Sequence, residues 1–118
     1  EGQIDYKSGV AMAASLARSS LGATAVVAAA DILAIGAVRG FYDAGLRVPE
    51  DMSIIGFDDL EISQYLAPGL TTIRQQISLK GQRAVELLLE HIADPSLSKQ
   101  EEILPLKLIE RGSVRKLS

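Results

Sequence analysis

Met52-Ser53-Ile54-Ile55-Gly56-Phe57-Asp58-Asp59 is the stretch that decides the fold. Its apolar run shows no polar alternation, the pattern of a strand covered on both faces, and such strands belong to parallel sheets. A turn at Val48-Pro49-Glu50-Asp51 precedes it. Two carboxylates stand at its end, where open parallel sheets collect ligands. On an extended chain neighbouring side chains point opposite ways. One of the two aspartates is therefore expected to face a ligand and the other to serve the structure, with capping of the next helix as the plain structural role.

Upstream, Thr24-Ala25-Val26-Val27-Ala28-Ala29-Ala30 has the same unalternating character and reads as a second strand covered on both faces. Asp31 follows as the N-cap of a helix in which Ala34, Ala37, Val38 and Phe41 share one stripe. That helix ends at Gly45. Gly36 and Gly40 would let it approach a neighbouring backbone. Before it, Val10, Ala13, Ala14 and Ala17 recur at helical spacing across Tyr6 to Ser20, behind a cap at Asp5 or Ser8.

Downstream, a short helical stretch from Leu60 to Leu66 stops before Pro68. Leu70-Thr71-Thr72-Ile73-Arg74-Gln75 reads as a third strand. Ile77, Gly81, Ala84, Val85, Leu88, Leu89 and Ile92 lie on one face of a helix capped by Ser78 and stopped at Asp94-Pro95. Lys80, Arg83, Glu86 and Glu90 form its solvated face. Ser96 to Gln100 reads as a polar loop, Ile103 to Ile109 as a last strand interrupted by Pro105, and Lys116 to Ser118 as a frayed tail. Strands alternating with helices predict an α/β fold with a mainly parallel sheet. Three loops then qualify as ligand-facing: Ala30-Asp31, Asp58-Asp59 and Gln75-Gln76.

Composition narrows the chemistry. The 118 residues are 47% hydrophobic and 23% charged, the balance of a folded domain. The net charge is −3, and residues 49–70 carry five acids (Glu50, Asp51, Asp58, Asp59, Glu61) and no base. No basic stripe suited to phosphates is present, so these residues are not expected to bind nucleic acid strongly. Cysteine is absent, which excludes disulfides and thiolate metal sites. No apolar run reaches the roughly 20 residues of a membrane span, and Glu1-Gly2-Gln3-Ile4-Asp5 lacks the character of a signal peptide. The single histidine, His91, has no partner for metal or nucleophilic chemistry and reads as a surface residue. No phosphate loop or nucleophile elbow occurs. Neither a cofactor, a metal nor a catalytic activity is expected.

Taken together, Thr24-Ala25-Val26-Val27, Asp31-x-x-Ala34-x-Gly36-Ala37, the run Ala44 to Asp59, Pro68-x-Leu70-Thr71-Thr72-Ile73-Arg74-Gln75, Gly81 with Ala84-Val85, Leu104-Pro105 and Leu108-Ile109-x-Arg111-x-Ser113 resemble the LacI/GalR family, the lactose-repressor class of bacterial transcription regulators. The resemblance covers nearly the whole chain. It implies a three-layer Rossmann-like domain of the periplasmic binding protein-like type I, of which this would be the C-terminal portion. Residues up to about 72 would be C-terminal subdomain, about 75–95 would cross to the N-terminal subdomain, and about 103–110 would hold the return strand. The helix-turn-helix that reads operator DNA would lie outside these residues. The sheets would then need partners from missing sequence or from other copies of the chain.

The same resemblance assigns residues. Asp58 matches a carboxylate that contacts effector, and Gln75 matches a polar residue lining the cleft between lobes. Ile4 stands where sugar- and purine-binding relatives commonly hold a stacking aromatic, and Ala30 where the loop often holds Asn or another polar group. Val38, Ile62, Tyr65 and Leu66 are the expected subunit contacts of a homodimer. The implied function is cytoplasmic transcription regulation, with a sugar or other small metabolite controlling DNA binding. Two other classes stay open: a secreted sugar-binding receptor of a transporter, which shares the fold, and a Mg²⁺-dependent phosphatase-like enzyme using Asp58 and Asp59.

Overall fold

The computed structural model describes residues 4–97 and 103–117. The expected loop residues Ser98 to Gln100, the start at Glu1-Gly2-Gln3 and the tail residue Ser118 lie outside them. Two compact units result, Glu1–Arg74 with Leu108–Ser118, and Gln75–Lys107.

The first unit begins with α1 (Tyr6–Arg18), where Asp5 accepts from the Ser8 backbone N–H at 2.8 Å, so Asp5 rather than Ser8 is the cap. Strand β1 (Ala25–Val27) leads to α2 (Asp31–Asp43). Helix α2 closes with Gly45 at φ 84°, its N–H donating to the Tyr42 carbonyl while Leu46 N–H donates to that of Phe41. A side chain with a Cβ is disfavoured at that angle, which is why glycine ends the helix here. Strand β2 (Ser53–Ile55), a 3₁₀ turn (Glu61–Tyr65) and β3 (Thr72–Arg74) follow.

Strands β1 and β2 are parallel, with Ala25 opposite Ser53, Val26 opposite Ile54 and Val27 opposite Ile55. A parallel bridge from Ile55 to Thr71 joins β2 to the start of β3, and β3 pairs with β4 (Lys107–Ile109). The predicted parallel α/β architecture is present. Its strands are shorter than the apolar runs that announced them, because ladder pairing ends where the partner chain turns away.

The core gathers Ala13, Ala34, Ala37, Phe41, Met52, Ile54 and Leu70. Helices α1 and α2 lie so close that a Cβ at Gly9 would strike the Leu33 carbonyl, and one at Gly36 the Tyr6 carbonyl. Glycine at those two points is a packing requirement. Burial of β2 follows the expectation, but β1 departs from it: Val27 is 75% exposed. Among the described residues β1 pairs only with β2, and Ala25 and Val27, which share one face of the strand, are exposed while Val26 between them is partly buried. Beside it, α1, β1 and α2 enclose an apolar groove of about 410 Å³ lined by Met12, Leu16, Val27, Leu33 and Phe41.

The second unit holds α3 (Ile77–Ala93), preceded by Gln76, which makes no side-chain capping bond; Ser78 lies inside the helix rather than at its cap. No residue of α3 is buried. Val85, Leu88, Leu89 and Ile92 are exposed, whereas Arg83 and Glu86, expected to be solvated, pair with each other and are half-buried. The amphipathic pattern is real, but among the described residues of this unit its apolar stripe stays exposed.

Candidate functional site

The loop after β2 is built around a carboxylate that is not in the loop. Asp31, read from sequence as an N-cap, is instead the first residue of α2, and Ala30 occupies the cap position without a side-chain bond. Its side chain is fully buried. Oδ2 accepts from the Leu60 backbone N–H at 2.8 Å and from Ser63 Oγ at 2.5 Å, and Oδ1 accepts from Thr72 Oγ1 at 2.6 Å. Three donors offset the cost of burying a carboxylate, which would be several kcal/mol if it were unpaired. The Asp31 N–H also donates to the Phe57 carbonyl at 2.8 Å, tying the ends of β1 and β2 together.

Asp58 and Asp59 both have positive φ, 114° and 53°. Non-glycine residues enter that region at a cost on the order of 1 kcal/mol each, so surrounding bonds must hold them there. Asp58 N–H donates to the Ile73 carbonyl at 2.9 Å, and Asp59 N–H to Thr72 Oγ1 at 3.3 Å. The two side chains then separate in role. Asp59, only 9% exposed, receives Arg74 Nε at 2.8 Å and Arg111 Nη2 at 2.9 Å. Burial acts to raise its pKa, but the hydrogen bonds and charges of Arg111 and Arg74 outweigh that and hold the carboxyl below its ordinary value of 3.8. Engaged by two guanidinium groups, Asp59 is poorly placed to hold Mg²⁺. Asp58 is half-buried at the carboxyl end of β2.

The other predicted residues are distributed as follows. Ala30 is buried at the end of the β1 segment, in the same set of strand-end loops as Asp58. Ile4, 66% exposed, precedes α1. Gln75 opens the second unit, half-buried, with Lys80 Nζ donating to its Oε1 at 3.2 Å. Val38 and Leu66 are partly buried against the core, while Ile62 and Tyr65 are exposed. His91 is exposed on α3. Among the described residues no cluster of three or more histidine, aspartate or glutamate side chains is placed to hold a metal, and no helix is long and apolar enough to cross a membrane.

Sequence reasoning missed the parts played by Asp31, Ser63, Thr72, Arg111 and Ser113. Ser113 Oγ donates to the Ile54 carbonyl at 2.6 Å and accepts the Thr71 N–H at 2.8 Å, filling the gap where β2 and β3 part. One signal for Asp31 was present: a Cβ at Gly56 would strike Asp31 Oδ1, so the glycine before Phe57 makes room for that carboxylate.

Parallel strands with carboxylate-bearing loops at their carboxyl ends, flanked by helices, define an α/β domain of the kind whose ligand sites lie beyond the strand ends. The chain belongs to the periplasmic binding protein-like domain family, whose model matches residues 3–114. It is 38% identical over 117 residues to the ribose operon repressor of Haemophilus influenzae, a match covering 99% of this chain and 35% of the repressor. A LacI family transcriptional regulator from Enterococcus faecalis, solved with bound ribose, superposes with a TM-score of 0.87 at 36% identity, over 100% of this chain and 43% of that one. The lac repressor dimer bound to operator and the anti-inducer ONPF gives a TM-score of 0.86 at 35% identity, over 97% of this chain and 40% of that one. The likeness to LacI-type regulators read from the motifs is thus found in both sequence and structure, and this chain spans about a third of the ribose repressor's length.

Proposed function

We propose that these residues form the effector-binding and dimerisation portion of a LacI-type transcription regulator, in which a small sugar contacts Asp58 and controls operator binding by a helix-turn-helix outside them. The observation that carries this reading is the placement of Asp58 just beyond the carboxyl end of parallel strand β2, where such sheets bind ligands, with its backbone at φ 114°. A carboxylate so placed accepts hydrogen bonds from ligand hydroxyls. Ribose is the first effector to test, since the name of one relative and the bound ligand of another point to it. Sequence likeness alone supports Gln75 as a second, amide contact. It also supports assigning residues to about 72 to the C-terminal subdomain, about 75–95 to the crossing into the other, and about 103–110 to the return.

Regulation is favoured over the transporter-receptor reading because the relatives are named as repressors, and the same names favour a cytoplasmic, non-catalytic protein. A homodimer is part of the proposal, with Ile62 and Tyr65 as surface contacts. In the full-length protein, D-ribose is expected to change operator affinity by about 5- to 150-fold, the usual range of allosteric coupling. Asp58→Ala should abolish that change, read by fluorescence anisotropy of labelled operator, while thermal unfolding stays within a few degrees of the parent. An undiminished ribose response in the variant would remove Asp58 from the site.

A further inference from the structure

We propose that Asp31, a residue with no place in the effector contact itself, is the positioning residue that sets the backbone of Asp58 and hence its ability to meet a ligand; this rests on the reading of Asp58 as the effector carboxylate. Three successive N–H groups, those of Asp58, Asp59 and Leu60, are each bonded inward, to the Ile73 carbonyl, Thr72 Oγ1 and Asp31 Oδ2. Asp31 governs two of the three. It takes the Leu60 N–H directly. It also takes the Thr72 hydroxyl proton on Oδ1, which leaves the Thr72 oxygen lone pairs as the acceptor for Asp59 N–H. Without that orientation the Thr72 hydroxyl is free to turn its proton toward the amide, where donor would face donor.

The two residues at positive φ sit inside this set of anchors. Their conformation is unfavourable in isolation and persists only where surrounding bonds over-determine it. Two further features fit the assignment. Gly56, whose missing Cβ leaves space for Asp31 Oδ1, belongs to the same segment as Asp58, so the strand is shaped to admit the carboxylate. Ser63 bonds Asp31 Oδ2 but lies beyond the anchored amides, which makes it a natural control.

The test uses full-length protein and three isosteric or near-isosteric variants. Asp31→Asn keeps the shape but replaces one acceptor with a donor; Thr72→Val removes the bridging hydroxyl; Ser63→Ala removes an Asp31 partner without touching the anchored amides. Hydrogen exchange followed by mass spectrometry on a peptide covering residues 57–61 is expected to accelerate at least about tenfold in Asp31→Asn and Thr72→Val. In Ser63→Ala it should change by less than about threefold, and a peptide within α2 should change little in all three. Calorimetric titration with D-ribose should show about tenfold or weaker binding in the first two only. Equal acceleration in the loop and in α2 would mean general destabilisation and would overturn the proposal, as would unchanged ribose affinity alongside an opened loop. Should Asp31→Asn not fold, Thr72→Val decides by the same two readouts. Ribose binding that survives Asp58→Ala would instead remove the effector reading, with the exchange data still deciding whether Asp31 holds the loop.

Discussion

Arg111 reaches across 52 residues of sequence to place Nη2 at 2.9 Å from Asp59 Oδ1, while its Nη1 donates to the Leu70 carbonyl at 2.8 Å. Its backbone N–H donates to Thr71 Oγ1, whose proton returns to the Arg111 carbonyl. The segment near the chain's end is thereby bound to the loop that carries Asp58. Four hydrogen bonds at one residue make this a network rather than a lone surface ion pair.

The network implies a pH dependence. The Asp59 carboxyl is held below its ordinary 3.8 in the folded chain, so its charged form contributes stability that is complete above about pH 4 to 5. That contribution is lost as pH falls from there through the lower folded value, because protonation removes the charge the arginines hold. Asp59→Asn should therefore cost about 1–3 kcal/mol at pH 7, the worth of hydrogen bonds to charged groups. The gap to the parent should narrow as pH is lowered toward 3 in denaturant titrations. A gap constant with pH would contradict the assignment.

Ser113 supplies both a donor and an acceptor to strands that have separated. Ser113→Ala strands a buried Thr71 N–H and weakens the satisfaction of the Ile54 carbonyl. The expected loss is about 1–3 kcal/mol in chemical denaturation. Ser113→Thr, which keeps the hydroxyl but adds a methyl at a site 1% exposed, should also destabilise, by overpacking.

Gly36 faces the Tyr6 carbonyl with no room for a Cβ. Gly36→Ala would normally favour a helix, by about 0.5–1 kcal/mol. Here the collision is with backbone, which cannot rotate away, so the balance reverses and net destabilisation of about 1–3 kcal/mol is expected. Thermal unfolding distinguishes the signs directly.

Ile62 and Tyr65 project from the 3₁₀ turn at 50% and 68% exposure. If they form the subunit contact, the double substitution Ile62→Glu with Tyr65→Glu should raise the dimer dissociation constant at least tenfold by analytical ultracentrifugation. It should leave the midpoint of monomer unfolding nearly unchanged, since neither side chain is in the core. An unaltered dimer would move the interface elsewhere.

The fold was legible because its signals are local. The apolar run before Gly56 and the glycine at position 45 each depend on neighbours within a turn or a strand, and each appears in the structure where the pattern put it. The role of Asp31 was not legible, because an aspartate opening a helix has the same local appearance whether it caps that helix or reaches 41 residues ahead to Thr72. Exposure of β1 and of the α3 stripe was equally hidden, since apolar pattern reports which face seeks cover and not whether cover is present.

The amino-acid order alone thus specified the succession of helices and parallel strands and placed two carboxylates at a strand end, because short-range sterics and periodicity suffice for that. Which carboxylate is engaged by arginines, and what anchors the 58–60 loop, were decided only when distant segments met. Long-range hydrogen bonds among Asp31, Thr72, Arg111 and the 58–60 loop set those roles, and no spacing along the chain encodes them.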